Sequence, residues 1–101
     1  MHSVNLTCHD DRTRLTFKGA LDAAAARAAY DAMSKALTRA RPLHLYAKDL
    51  ERLDASGLQL LLAFLQAVKE RDLSFQWRAV SPALQAGAEL LDLADALELP
   101  R

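Results

Sequence analysis

Residues 43–47 read Leu-His-Leu-Tyr-Ala, an alternation of period two that suits a half-buried strand. On either side the apolar spacing changes to that of a helix, and Pro42 marks the first boundary, because the residue before a proline disfavours helical geometry. A strand set between two helices implies parallel neighbours joined by right-handed crossovers. The rest of the chain fits that frame. Residues 3–8 (Ser-Val-Asn-Leu-Thr-Cys) and Arg12 to Lys18 also alternate, with turn-like His9-Asp10-Asp11 between them and Gly19 ending the second run. They are close enough to pair as a hairpin. Asp22 is placed to cap an alanine-rich helix running to about Ala40, with Tyr30, Met33 and Leu37 on one face. A second helix is predicted from about Gly57 to Arg71, then a strand from Leu73 to Val80 with Leu73, Phe75 and Trp77 on one side. Ser81-Pro82 opens a third helix, serine as the cap and proline at the first position, with Leu84, Ala88 and Leu91 among its apolar residues. Asp92 to Leu97 reads as a last short helix. The predicted order is β-β-α-β-α-β-α-α, an α/β fold with a mixed, mostly parallel four-stranded sheet and three to four helices.

The length of 101 residues bounds the chain to a single domain over residues 1–101. With 51% hydrophobic and 26% charged residues it has globular composition. Thirteen basic residues balance thirteen acidic ones, which argues against nucleic acid as a partner. One cysteine leaves no internal disulfide and fits a reducing compartment. No apolar run approaches the ~18 residues of a membrane span. Met1-His2-Ser3-Val4-Asn5 lacks the features of a signal peptide. The expectation is a soluble cytoplasmic domain with no direct membrane insertion.

Reactive constellations are missing from the sequence. It contains no GxxxxGK[ST], GxGxxG or GxSxG pattern. Cys8 and His9 point to opposite faces of a strand, so with Asp10 and Asp11 they make at best a weak surface metal site. Cys8 is expected to be a small buried thiol beside an exposed loop. His2 falls in the terminus, and His44 is expected to be packed or hydrogen-bonded. No acid, base and nucleophile come together, so no enzyme, cofactor or metal is expected.

The informative stretch is Leu53-Asp54-Ala55-Ser56-Gly57-Leu58-Gln59-Leu60-Leu61-Leu62. A short polar turn enters a helix whose first N–H groups are unpaired and carry partial positive charge. Gly57 would leave the backbone uncovered for a partner's approach. Ser56 and Gln59 have capping-box spacing, which accounts for the serine without any function. Along the helix, Leu58, Leu61, Leu62, Leu65 and Val68 form a core stripe that Leu60 and Phe64 widen to an arc of roughly 200°. Either the sheet and a neighbouring helix clasp this helix, or Leu60 and Phe64 face a partner.

These residues resemble the STAS family of sulfate-transporter and anti-sigma-factor-antagonist modules, in which Asp-Ser-Ser-Gly-Leu precedes an apolar helix. Here the stretch is Asp54-Ala55-Ser56-Gly57-Leu58, and Trp77-Arg78-Ala79-Val80-Ser81-Pro82-Ala83-Leu84 resembles the family's last strand and following helix. The element order agrees along nearly the whole chain. The resemblance implies a non-catalytic protein-interaction module of a bacterial signalling pathway. Its partner would be an anti-sigma-type kinase or chemotaxis component; the alternative partner is the ATPase of a phospholipid-trafficking ABC transporter. In stand-alone members the hydroxyl residue directly after the aspartate is phosphorylated; Ala55 stands there, and Ser56 is the remaining candidate for phosphorylation. Tyr46 occupies the place, eight before the aspartate, where many members carry an acid. The candidate partner-contact set is Asp54, Ala55, Ser56, Gly57, Gln59, Leu60 and Phe64.

Overall fold

The computed structural model describes residues 4–100. Its elements are β1 (Val4–Cys8), β2 (Thr13–Leu21), α1 (Ala26–Arg39), β3 (Leu43–Leu53), α2 (Ala55–Glu70), β4 (Phe75–Val80) and α3 (Pro82–Leu90). The four strands form one sheet in the order β1-β2-β3-β4. β1 and β2 are antiparallel, and β2–β3 and β3–β4 are parallel. The opening hairpin and the α/β frame are as the sequence predicts.

Alternate positions of the strands divide the sheet into two unlike faces. Leu15, Phe17, Leu43, Leu45, Ala47 and Trp77 are buried and join one core with Met33, Leu61, Phe64 and Leu84 of the helices. The intervening positions, Arg14, Thr16, His44, Tyr46, Gln76 and Arg78, are exposed or half-buried. The apolar stripe of each helix is thus spent on the same side of the sheet, and the other side meets water.

Several boundaries move from their predicted places. β2 runs through Gly19 to Leu21, because the glycine takes a left-handed φ of 72° and the pairing with β3 shifts register on its far side. That longer partner carries β3 on to Leu53, well past Ala47. β4 begins at Phe75, not Leu73. Asp22 caps a turn, its Oδ1 accepting from the Ala25 N–H at 3.0 Å, and α1 starts only at Ala26. Residues 92–97 make turns in place of the expected last helix. They are nonetheless fastened: Trp77 Nε1–H donates to the Leu97 carbonyl at 2.9 Å, Leu97 and Leu99 are buried, and Lys69 pairs with Glu98 at 2.6 Å.

Cys8 is exposed, correcting the expectation of a buried thiol. It has the core-facing parity of Val4 and Leu6 but sits at the last position of an edge strand, next to the exposed turn that follows. Among the described residues no group of three or more His, Cys, Asp or Glu could hold a metal, so Cys8, His9, Asp10 and Asp11 do not assemble a site. His2 lies outside the described residues. No described helix is long and apolar enough to cross a membrane.

Candidate functional site

β3 ends at Leu53, and the next residue makes the turn. Asp54 is extended (φ −109°, ψ −176°), and its carbonyl accepts the first helical bond, from the Leu58 N–H at 3.1 Å. Its Oδ1 accepts from the Gly57 N–H at 2.9 Å and from the Ser56 hydroxyl at 2.6 Å. Asp54 is therefore the cap of α2, and the Ser56–Gln59 capping box is not the device that starts the helix. Asp54 as a cap was missed in the sequence, where only the Ser56 pattern drew notice; with β3 extended to Leu53, Asp54 is the first residue past the strand and takes the cap position. The Ser56 hydroxyl and then the Gly57 N–H hold the Asp54 carboxyl below its ordinary range, and the N–H groups of Ala23 and Ser56 add to the effect.

Gly57 has a different role from the one predicted. It is buried, and a Cβ there would run into the Leu21 carbonyl oxygen and come within 3.0 Å of the Leu21 carbonyl carbon. The close approach that glycine permits is to the chain's own β2. The Asp54 N–H donates to the same Leu21 carbonyl at 3.4 Å, so the end of β2, the turn and the start of α2 are locked together.

Of the predicted contact residues, Asp54, Ala55, Ser56 and Gln59 are exposed and contiguous, and Leu60 is half-buried. Phe64, expected at the contact surface, is only 4% exposed and belongs to the core. The wide apolar arc of α2 is explained by double coverage, by the sheet beneath and α1 beside it. Leu60 does reach an open groove of about 440 Å³ between α1 and α2, whose rim includes Tyr30. Tyr30 is 59% exposed, although its helical spacing with Met33 and Leu37 marked it as a core residue.

A mixed four-stranded sheet with helices on one face and a capped, exposed strand-to-helix corner defines a STAS-type α/β domain. A family model described as "Mlab, STAS domain" matches residues 4–100, and the chain belongs to that family. Similar solved structures include an anti-sigma factor antagonist from Mycobacterium paratuberculosis, 22% identical with a TM-score of 0.77, covering 91% of this chain and 79% of that one. The anti-sigma factor antagonist SpoIIAA matches in its unphosphorylated form at 18% identity and TM-score 0.71, covering 91% and 83%. The phosphorylated form of SpoIIAA, described as a Bacillus cell fate determinant, matches at 17% and 0.66, covering 91% and 86%. A structure titled "Crystal Structure Analysis of Mglu" matches 75% of the chain at 21% identity and TM-score 0.67, and there the matched region spans only 19% of the longer protein. At these identities the likeness is one of fold. No curated protein is similar enough to count as a match.

Proposed function

We propose that the chain is a non-catalytic interaction module of a bacterial signalling pathway, docking a regulatory protein through Asp54, Ala55, Ser56 and Gln59, with Leu60 at the mouth of the adjoining groove. The observation that carries this reading is the corner itself: four exposed residues on a backbone held by the Asp54 cap and by the packing of Gly57 on Leu21. A preorganised surface loses little conformational entropy on binding. The partner in this reading is an anti-sigma-type kinase or a chemotaxis component.

A second reading, an accessory subunit bound to the ATPase of a phospholipid-trafficking ABC transporter, is favoured by Ala55. It supplies no hydroxyl to phosphorylate, and the neighbouring Ser56 hydroxyl is already engaged by Asp54 at 2.6 Å. A phosphate on Ser56 would add roughly −1.5 to −2 charges beside that carboxylate. The helix N-terminus would favour the phosphate, while Asp54 would repel it. A permanently competent surface suits a subunit; a switch needs an acceptor.

The test is affinity capture from the native cell with wild type, Ala55→Arg and Gln59→Arg, both at exposed positions, with proteins identified by mass spectrometry. A kinase or chemotaxis protein supports the first reading, an ATPase with a permease the second, and either must be lost with the variants. Equal recovery by all three proteins refutes the corner as the contact point. Intact mass of the chain from its host decides the Ser56 question separately.

A further inference from the structure

We propose that the uncovered face of the sheet, around Arg14, His44 and Arg78, docks an acidic segment of a partner protein, as a second surface distinct from the corner at residues 54–57. The register places Thr7, Arg14, His44 and Gln76 in one row across all four strands, with Asn5, Thr16 and Tyr46 in the next. Arg78 stands at the register shift between β3 and β4, and its Nη1 donates to Gln76 Oε1 at 3.2 Å. The Arg14 guanidinium lies over the Tyr46 ring at 3.9 Å, and its Nε–H donates to Thr16 Oγ1 at 3.4 Å. Both guanidinium groups are thus held in place on the surface, with no carboxylate paired to either among the described residues.

The concentration of charge here departs from the chain as a whole, which is neutral. Partial burial, and after it the charges of Arg78 from β4 and Arg12 from the β1–β2 turn, hold the His44 imidazole below its ordinary range. His9 adds to them, and Asp11, itself paired with Arg12 at 2.9 Å, opposes them. Arg14 adjoins His44 in register from β2. The face is electropositive at this end, and a guanidinium matches a carboxylate in geometry as well as charge.

Other anionic macromolecules fit less well. Single-stranded nucleic acid needs aromatic platforms for its bases, but the Tyr46 ring is already covered by Arg14, and Trp77 lies on the buried face. An anionic membrane is bound best by a basic surface that also inserts large apolar side chains, and besides Tyr46 the only apolar side chain in these two rows is the small Ala79, opposite Tyr46 on β4. A carboxylate-rich protein segment asks for fixed cations interleaved with hydrogen-bonding groups, which Thr7, Thr16 and Gln76 supply.

The experiment is a titration of the isotope-labelled 101-residue chain followed by NMR, using a glutamate-rich peptide, phosphatidylglycerol vesicles and a uridine-rich oligonucleotide as separate probes. The peptide is expected to shift Thr7, Arg14, His44, Tyr46, Gln76 and Arg78, less so as salt rises. Bound carboxylates favour the imidazolium, so the His44 midpoint should move up, and by linkage the peptide should bind more tightly as pH falls through that midpoint. Arg14→Gln with Arg78→Gln should weaken the peptide about tenfold or more, while Arg27→Gln with Lys35→Gln on α1 should change it little. Circular dichroism checks that each variant is folded. An unmoved His44 midpoint, equal losses from both pairs of substitutions, or binding of vesicles or oligonucleotide in place of peptide would each overturn the assignment.

Discussion

Replacing Gly57 by alanine tests the packing that holds the corner in place. Within a helix this exchange ordinarily stabilises by up to about 1 kcal/mol, because alanine surrenders less backbone freedom on folding. Here the new methyl collides with the Leu21 carbonyl oxygen and lies 3.0 Å from its carbon and 3.2 Å from its Cγ, against the ~3.5–4.0 Å of a comfortable carbon contact. The obstruction is backbone inside a paired strand, so it cannot turn aside as a side-chain tip would. Relief requires moving the first turn of α2 by roughly 1 Å, at an overpacking cost of about 1–3 kcal/mol. The same displacement strains the Asp54-to-Leu21 bond. A net loss of about 2 kcal/mol is expected, which is a fall in melting temperature of about 8–16 °C for a chain of this size. Gly87 in α3 is the control: a Cβ there meets only the Leu58 and Leu53 side chains, at 3.6 Å and beyond. Gly87→Ala should therefore stabilise by about 0.5–1 kcal/mol. Thermal and urea denaturation followed by circular dichroism give both values. A Gly57→Ala protein as stable as wild type would refute the close approach and, with it, the rigidity ascribed to the corner.

Thr13→Val should raise stability by about 1 kcal/mol in urea titrations, since the fully buried Thr13 Oγ1 has no hydrogen-bond partner and valine keeps its shape. Trp77→Phe removes the donor to the Leu97 carbonyl and should cost about 1–3 kcal/mol, with the amides of residues 97–99 exchanging faster than in wild type. Stability should decline with acidity in two stages. The imidazole of His44 is lowered in the folded state, so its contribution is complete above its unfolded pKa of 6.5 and declines below it; His44→Gln should flatten that stage. Asp54 is also lowered, so its cap contributes above the unfolded value of 3.8 and is lost as pH falls through the folded one; Asp54→Ala should remove the second stage.

How legible the fold was depended on whether each signal was local. The hairpin, the Pro42 boundary and the Ser81-Pro82 start of α3 follow from neighbours in the chain; Ser81 Oγ accepts from the Leu84 N–H at 3.1 Å, as its position implies. The length of β3 was not local, because it is set by the run of β2 through Gly19, and that length is what brings Asp54, unnoticed in the sequence, to the cap position. Gly57 and Phe64 were singled out correctly as unusual, but what each one touches, Leu21 in one case and the space beside α1 in the other, is a property of packing. The open face was written in the strands all along. Its polar residues alternate with the core residues, yet nothing in the alternation says that Arg78 and the distant Arg12 act on one histidine while Arg14 settles over Tyr46.

The fastening of residues 97–99 beneath Trp77 bears on how the molecule comes into being. Strand order in the sheet is chain order, so on a ribosome each strand can add to the growing edge as it emerges. The hydrophobic interior closes only when Leu97 and Leu99 arrive to fill it. Assembly of the sheet is thus vectorial, while consolidation waits for residues 97–99, and a nascent chain stalled before that point would be a natural client for a chaperone.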